Sequence, residues 1–265
     1  MKNYLETNRH AWNRRTAIHV QSEFYDNDSF LKGRNSLNQI EKDLLGDISG
    51  KSVLHLQCHF GQDTISLARM GAEVTGVDLS DASIAYANEL AAKCKIKAEF
   101  INCDVYDLPN IHNKKYDLVF TSYGTVGWLP DIGKWAQVVI HFLKPGGRFV
   151  MADFHPVVWM FDDEFKEIAY RYFNDVPIEE LASGTYTNPD ADIKLDYVSW
   201  NHGLGDIVNA LLSQGLTLLS LREFDYSPYD CFSGTVAVEP GKFRIKKMGN
   251  KIPMVYAIHC ERKIN

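Results

Sequence analysis

The sequence predicts an α/β fold built on a doubly wound, mainly parallel sheet, and three observations carry that prediction. The run Val53-Leu54-His55-Leu56-Gln57-Cys58-His59-Phe60-Gly61-Gln62-Asp63-Thr64 reads as a buried strand passing through a tight turn into a helix. Val53, Leu54 and Leu56 suit a strand covered on both faces, and Gly61 permits a turn geometry that other residues resist. Asp63 or Thr64 is positioned to cap a helix from Thr64 to Met70, which Gly71 ends. Next, Glu73 to Asp78 is a short strand ending in an acid, and Ser80 opens a helix with Ile84, Ala87 and Ala91 on one face, completing a βαβ unit. Finally, successive strands end on polar residues, which brings polar groups to one edge of the sheet, as a doubly wound binding site requires.

The remaining elements follow in order. Tyr4 to His19 is a polar helical lead, and Ser22 to Leu37 carries Arg34 with Phe24, Tyr25 and Phe30, aromatics that need cover. Ala98 to Asp104 and Asp117 to Ser122 read as strands, about Ile132 to Leu143 as a helix, and Arg148 to Asp153 as another strand. After Asp153 the composition turns aromatic, with Trp159, Phe161, Phe165, Tyr170, Tyr172, Phe173 and Tyr186, which reads as an insertion roofing a pocket or as a subunit interface. A helix of about Asp206 to Leu212 ends at Gly215. Two late strands, Leu216 to Phe224 and Met254 to Cys260, are joined by a solvated basic hairpin holding Lys242, Arg244, Lys246, Lys247 and Lys251.

Bulk properties narrow the function classes. A net charge of −6 opposes a general grip on phosphate backbones, so nucleic acid is not an expected partner. Cys58, Cys94, Cys103, Cys231 and Cys260 form an odd set without framework spacing and read as reduced thiols. No apolar run approaches the length of a membrane span, and Met1 to Val20 lacks a signal-peptide core, so no membrane partner and a cytoplasmic location are expected. His55, Cys58, His59 and Asp63 are competent metal ligands within one short run. Strand alternation splits them between two faces, and no metal is expected.

Five blocks carry a resemblance: His55-x-Gln57-x-His59-x-Gly61, Gly76-Val77-Asp78-Leu79-Ser80, Asn102-Cys103-Asp104-Val105, Tyr116-Asp117-Leu118-Val119 and Leu143-Lys144-Pro145-Gly146-Gly147. In this order they resemble a class I S-adenosylmethionine-dependent methyltransferase over roughly residues 50 to 153. The resemblance implies a Rossmann-like seven-stranded sheet, S-adenosylmethionine as cofactor and methyl transfer to a small-molecule substrate by a monomer or homodimer. It also implies an organisation of N-terminal lid (1–49, with Trp12, His19, Tyr25 and Arg34 as lid candidates), cofactor-binding core (50–153), substrate-covering insertion (154–205) and completion of the sheet (206–265). The first block departs from the family pattern of acid-x-Gly-x-Gly-x-Gly, since His55, Gln57 and His59 replace the acid and two glycines. On one reading Gln57 and His59 wall the cofactor and Asp63 supplies the missing carboxylate; on others the pocket takes a modified cofactor or binds nothing productively. The last would leave a binding or regulatory scaffold, and a nicotinamide-dependent oxidoreductase is disfavoured by the lone Gly61.

Site residues carried over by position are Asp78, with Leu79, at the ribose, Asp104 and Val105 at the adenine, and Gly61, Thr64 and Ser122 around the cofactor. His155, directly after the fifth strand, is the expected general base, with Tyr123 beside the transferable methyl group. Tyr25, Trp128, Trp159 and His202 are expected to face the acceptor, with His202 as second choice of base.

Overall fold

The computed structural model describes residues 3–174 and 176–264. Three helices precede the first strand: α1 (Tyr4–His19), α2 (Asn27–Leu31) and α3 (Gln39–Leu45). The core then alternates β1 (Ser52–Leu56), α4 (Gln62–Arg69), β2 (Glu73–Asp78), α5 (Asp81–Cys94), β3 (Glu99–Asn102), α6 (Leu108–Ile111), β4 (Tyr116–Ser122), α7 (Ile132–Phe142) and β5 (Leu143–Phe154). A hairpin of β6 (Ile178–Ser183) and β7 (Lys194–Ser199) lies in the insertion. The chain closes with α8 (Leu204–Ser213), β8 (Leu216–Phe224), a hairpin of β9 (Thr235–Glu239) and β10 (Lys242–Ile245), and β11 (Val255–Arg262).

The seven-stranded sheet runs β3-β2-β1-β4-β5-β11-β8, with β11 antiparallel to both of its neighbours. The chain winds outward from β1 through β3 and returns to β4 on the other side of β1, so the crossover splits the sheet between β1 and β4. Carboxyl ends of strands diverge at such a crossover and open a crevice. Alternation along the buried strands divides the core into two layers. Leu54, Leu56, Val119 and Phe149 pack with Trp135 and Phe142 of α7, while Val53, Leu118, Phe120 and Val150 pack with Leu44 and Leu45 of α3.

Two details differ from the sequence reading. Helix α4 begins at Gln62 with Gly61 as its cap residue and no side-chain cap, so Asp63 and Thr64 sit inside the first turn, free for other partners. Strand β5 begins at Leu143, because Tyr116 of β4 continues to pair with it ahead of the register shift. The expected basic hairpin is β9–β10, where Lys242 pairs with Glu239 and Arg244 with Asp225. Among the described residues no helix is long and apolar enough to cross a membrane.

Helix α1 is fastened at both ends of its inner face. The Asn8 amide donates to Val198 O at 2.8 Å and accepts from Val198 N at 2.9 Å, satisfying the open edge of β7 as a neighbouring strand would. Asn13 accepts from Ser80 Oγ at 2.7 Å and donates to Asp81 at 2.8 Å, at the start of α5. The helix thus ties the insertion to the core above the crevice.

Candidate active site

A cavity of about 660 Å³ occupies the crevice, walled by the β1–α4 loop, the ends of β2, β3 and β4, the inner face of α1 and the insertion. Its floor begins with the variant first block. Gln57 (φ +56°) and His59 (φ +50°) both hold left-handed backbone conformations. Two positions where the resembled pattern carries glycine therefore keep a positive φ with side chains present, at a cost of roughly 1–2 kcal/mol per residue. Compensation is visible at each position. Gln57 Nε2 donates to Thr125 O at 2.7 Å, and the backbone N–H of His59 donates to Asp78 Oδ2 at 2.7 Å. The His59 ring bonds His19 Nδ1 at 3.0 Å and Ser83 Oγ at 3.1 Å. Burial pushes the pKa of His59 down to about 3 and that of His19 to about 2, so both rings are neutral and one donates to the other. Gly61 is required by packing instead. At φ +82°, an added Cβ would lie 2.8 Å from Phe100 Cε1 and 3.0 Å from Ala87 Cβ, so the seating of the loop on α5 and β3 demands glycine there.

His55 lies under this loop at 1% exposure, bonding Thr64 Oγ1 at 2.8 Å, with its pKa lowered to about 4 by burial. Thr64 is absent from the cavity lining; as a first-turn residue of α4 facing β1 it supports His55, which corrects its expected place beside a cofactor. Asp63 does reach the cavity, accepting from Ser36 Oγ at 2.6 Å and Ser122 Oγ at 3.0 Å.

At the end of β2, Asp78 accepts from the backbone N–H groups of His59 and Ser80 (2.7 and 2.9 Å), and burial raises its pKa to about 6. Each oxygen keeps a lone pair toward the cavity, since a carboxylate has about four acceptor sites. Leu79, Asp104 and Val105 line the same stretch of wall, Asp104 holding one oxygen against Tyr106 N at 3.1 Å.

The expected reacting groups sit elsewhere. His155 is buried outside the lining: its Nδ1 accepts from Val157 N at 3.1 Å and its Nε2 faces Glu223 on β8 at 3.0 Å, off the hydrogen-bond axis. Pairing of β5 with β11 ends at Phe154, so strand alternation no longer fixes residue 155, and its ring turns toward β8. Asp153, still within the strand, turns in and collects the N–H groups of Gly124, Thr125 and Phe154. Tyr123 (φ +38°) lays its ring on the wall but donates its hydroxyl to Glu41 at 2.9 Å, outside the lining. His202 lines the cavity with both nitrogens engaged, at Leu129 O (2.7 Å) and Asn174 (3.1 Å), so it braces the roof rather than offering a free base. Tyr25 lines the cavity with its hydroxyl 2.5 Å from that of Tyr186, Trp128 stacks edge-on with Trp12 and Tyr197, and Trp159 sits at the rim against Phe154 and Phe232.

The sequence reading placed Trp12 and His19 of α1 in the lid but missed Tyr4, Asn8 and Arg15 on the same face. Tyr4, Asn8, Trp12 and Arg15 line the cavity, and the spacing of 4, 8, 12, 15 and 19 is a helical stripe whose polar character hid it from a search for apolar faces.

Comparison with known proteins agrees with this geometry. A methyltransferase-domain family matches residues 53–147. The ubiquinone biosynthesis O-methyltransferase of Alkalilimnicola ehrlichii is 26% identical over 135 residues, 49% of this chain and 54% of its own length. An uncharacterized methyltransferase of Synechocystis is 33% identical over 132 residues, 49% and 59% of the two chains. The chain thus spans only a little over half the length of these curated relatives. Among solved structures, the geranyl diphosphate C-methyltransferase of Streptomyces coelicolor aligns over 98% of both chains (TM-score 0.61, 16% identity). A methyltransferase from Mesorhizobium loti aligns over 88% of this chain and 100% of its own (TM-score 0.59, 19% identity), and at these identities what is shared is the fold. Residues 53–147 thus match a methyltransferase domain, and the sheet that carries them has the fold of methyltransferases of known structure.

Proposed function

We propose that this protein transfers the methyl group of S-adenosylmethionine to a small-molecule acceptor held under the insertion. The observation that carries the reading is the set of unsatisfied groups in the cavity wall, which fits that cofactor. Asp78 has lone pairs for a pair of ribose hydroxyls, and Leu79, Val105 and Asp104 offer two apolar faces and an acceptor for an adenine. Gln57 Oε1 is buried without a donor, and Arg34 Nε is buried without a hydrogen bond, with the Asp26 carboxylate 3.9 Å away. With the Asp63 carboxylate, these match the ammonium and carboxylate of an amino-acid tail.

When bound, the cofactor supplies an activated sulfonium methyl, so the chain's own work is alignment and exclusion of water. Aromatic rings of Tyr25, Trp128 and Tyr186 shape the volume above the ends of β1 and β4. Helix α1 acts as the lid, held to β7 through Asn8 and to the first block through His19. His155 takes no part in proton transfer. The reading places the protein in the cytoplasm as a monomer or homodimer, and its net charge of −6 favours a small acceptor over nucleic acid.

Calorimetric titration with S-adenosylhomocysteine, S-adenosylmethionine and NADH tests this. Micromolar binding of the two adenosyl ligands and none of NADH is expected. Failure of both adenosyl ligands to bind would leave a non-catalytic scaffold in place of an enzyme.

A further inference from the structure

We infer that Arg15 is an anion-binding subsite for an oxyanion group, carboxylate or phosphate, carried by the methyl acceptor. This rests on the methyltransferase reading and deepens it by naming a substrate class. Arg15 is only 7% exposed and lines the cavity. Its guanidinium lies over three rings, Trp12, Trp128 and Tyr197, at 5.2, 5.3 and 5.2 Å. Stacked rings cover the faces of a guanidinium and leave its edge donors in plane, arranged as a fork.

Those donors have no protein partner. Among the described residues no carboxylate lies within ion-pairing distance of Arg15 and no acceptor bonds its side chain, yet none of its nitrogens is sealed off as an unpaired buried atom. They open onto the cavity. Half-buried arginines behave differently: Arg69 donates to Arg34 O and Phe30 O, Arg148 to Leu45 O, and Arg262 to Ile140 O and Leu143 O. Glu180, the acid in the wall that shares Tyr197 with Arg15, is held by the hydroxyls of Tyr170 and Tyr197. A cation desolvated without a counterion is costly unless a ligand completes it, and burial pulls its pKa below the usual guanidinium value.

Placement assigns the ligand to the acceptor. Trp128 follows β4 and Tyr197 stands on β7, so the rings around the guanidinium come from the lid and roof; its charge also reaches His19 and His59, which places the subsite where the roof meets the first block, while the amino-acid tail of the cofactor has its own donor in Arg34. A planar fork between aromatic faces suits bidentate recognition of a carboxylate or phosphate joined to an apolar body.

The test uses the full chain saturated with S-adenosylhomocysteine, titrated with benzoate, phenyl phosphate and the neutral isostere benzamide while following emission of Trp12 and Trp128. At least one anion should bind about tenfold or more tightly than benzamide. The tighter of the two identifies the group. Arg15→Met should erase the preference and Arg15→Lys should restore part of it, both with S-adenosylhomocysteine affinity within about twofold of the parent. Equal binding of the three probes, or no anion binding up to about 10 mM, overturns the inference, and the wild-type comparison stands even if Arg15→Met fails to fold. A preference that survives Arg15→Met while S-adenosylhomocysteine affinity falls also overturns it, by moving Arg15 to the cofactor. Absence of S-adenosylhomocysteine binding in the wild type overturns the methyltransferase reading before any anion is added, whereas its presence without anion preference overturns this inference alone.

Discussion

The two sides of the cavity treat polarity in opposite ways. On the β1–α4 side the histidines of the altered first block are satisfied within the protein, His55 by Thr64 and His59 by His19 and Ser83, and the His59 N–H by Asp78, which leaves Gln57 Oε1 as the open group of the block. On the lid and roof side a buried guanidinium faces the cavity with no acceptor, and aromatic rings dominate the wall. The first region is rigid before any ligand arrives, with left-handed residues held by hydrogen bonds; the second keeps its unmet valence for what it binds. Preorganisation belongs where the ligand is invariant, and unsatisfied charge where the ligand confers specificity.

Four experiments can break or sharpen that contrast. Gly61→Ala adds a left-handed Cβ against Phe100 and Ala87 and should cost about 2–4 kcal/mol in urea unfolding; a cost below about 1 kcal/mol would mean the loop yields and is not the rigid side. Asp78→Ala should weaken S-adenosylhomocysteine binding by about 1.5–3 kcal/mol by calorimetry, the range for hydrogen bonds to a charged group, and unchanged affinity would remove the ribose assignment.

The third is a pH experiment behind the wall. Glu41, buried under Tyr123, has its pKa raised by burial to about 7, above an unfolded value near 4.3. Between those values the folded state holds a proton that the unfolded state releases. Its contribution is therefore complete below about pH 4.3 and is lost as pH rises through about 7. Glu41→Gln should remove that gain, so that between pH 7 and 5 the variant's stability relative to wild type falls by about 1.4 kcal/mol per unit of acidification. Parallel curves would show that Glu41 titrates normally. The buried histidines carry the opposite sign: His19, His55 and His59 are neutral when folded, and their contribution is lost as pH falls below about 6.5 toward their lowered values. The smallest effect is expected of His155→Gln, an initial rate within about twofold of wild type with an acceptor found by screening. A loss of a hundredfold or more would return His155 to the chemistry.

How much of this was legible depends on the range of the interaction. The strand–turn–helix at Val53–Thr64, the acid ending β2 and the cap at Ser80 are local patterns within one or two elements, and they are seen where the sequence places them, apart from the shifted start of α4. The central seven-stranded sheet followed from the family resemblance once those patterns were found. The fate of His155 could not be read, since the strand's end, and with it the direction of the next side chain, is set by pairing with β11, a hundred residues away in sequence. Likewise, the resemblance marks the polar helix before β1 as a lid, but which of its side chains turn inward is set only when β7 and the first block pack against it.

By itself the sequence determined the alternation of elements and the acids at the carboxyl edge, because hydrophobic period, glycine and helix caps act over a few residues, and the resemblance supplied the order of the strands. Tertiary structure alone decided which polar side chains meet. It joined His59 to His19, set Glu41 behind Tyr123, turned Asp153 inward and His155 outward, and gathered Trp12, Trp128 and Tyr197 around Arg15. Each of those encounters joins groups far apart in the chain, and burial of the apolar core sets their distances before any polar contact can form.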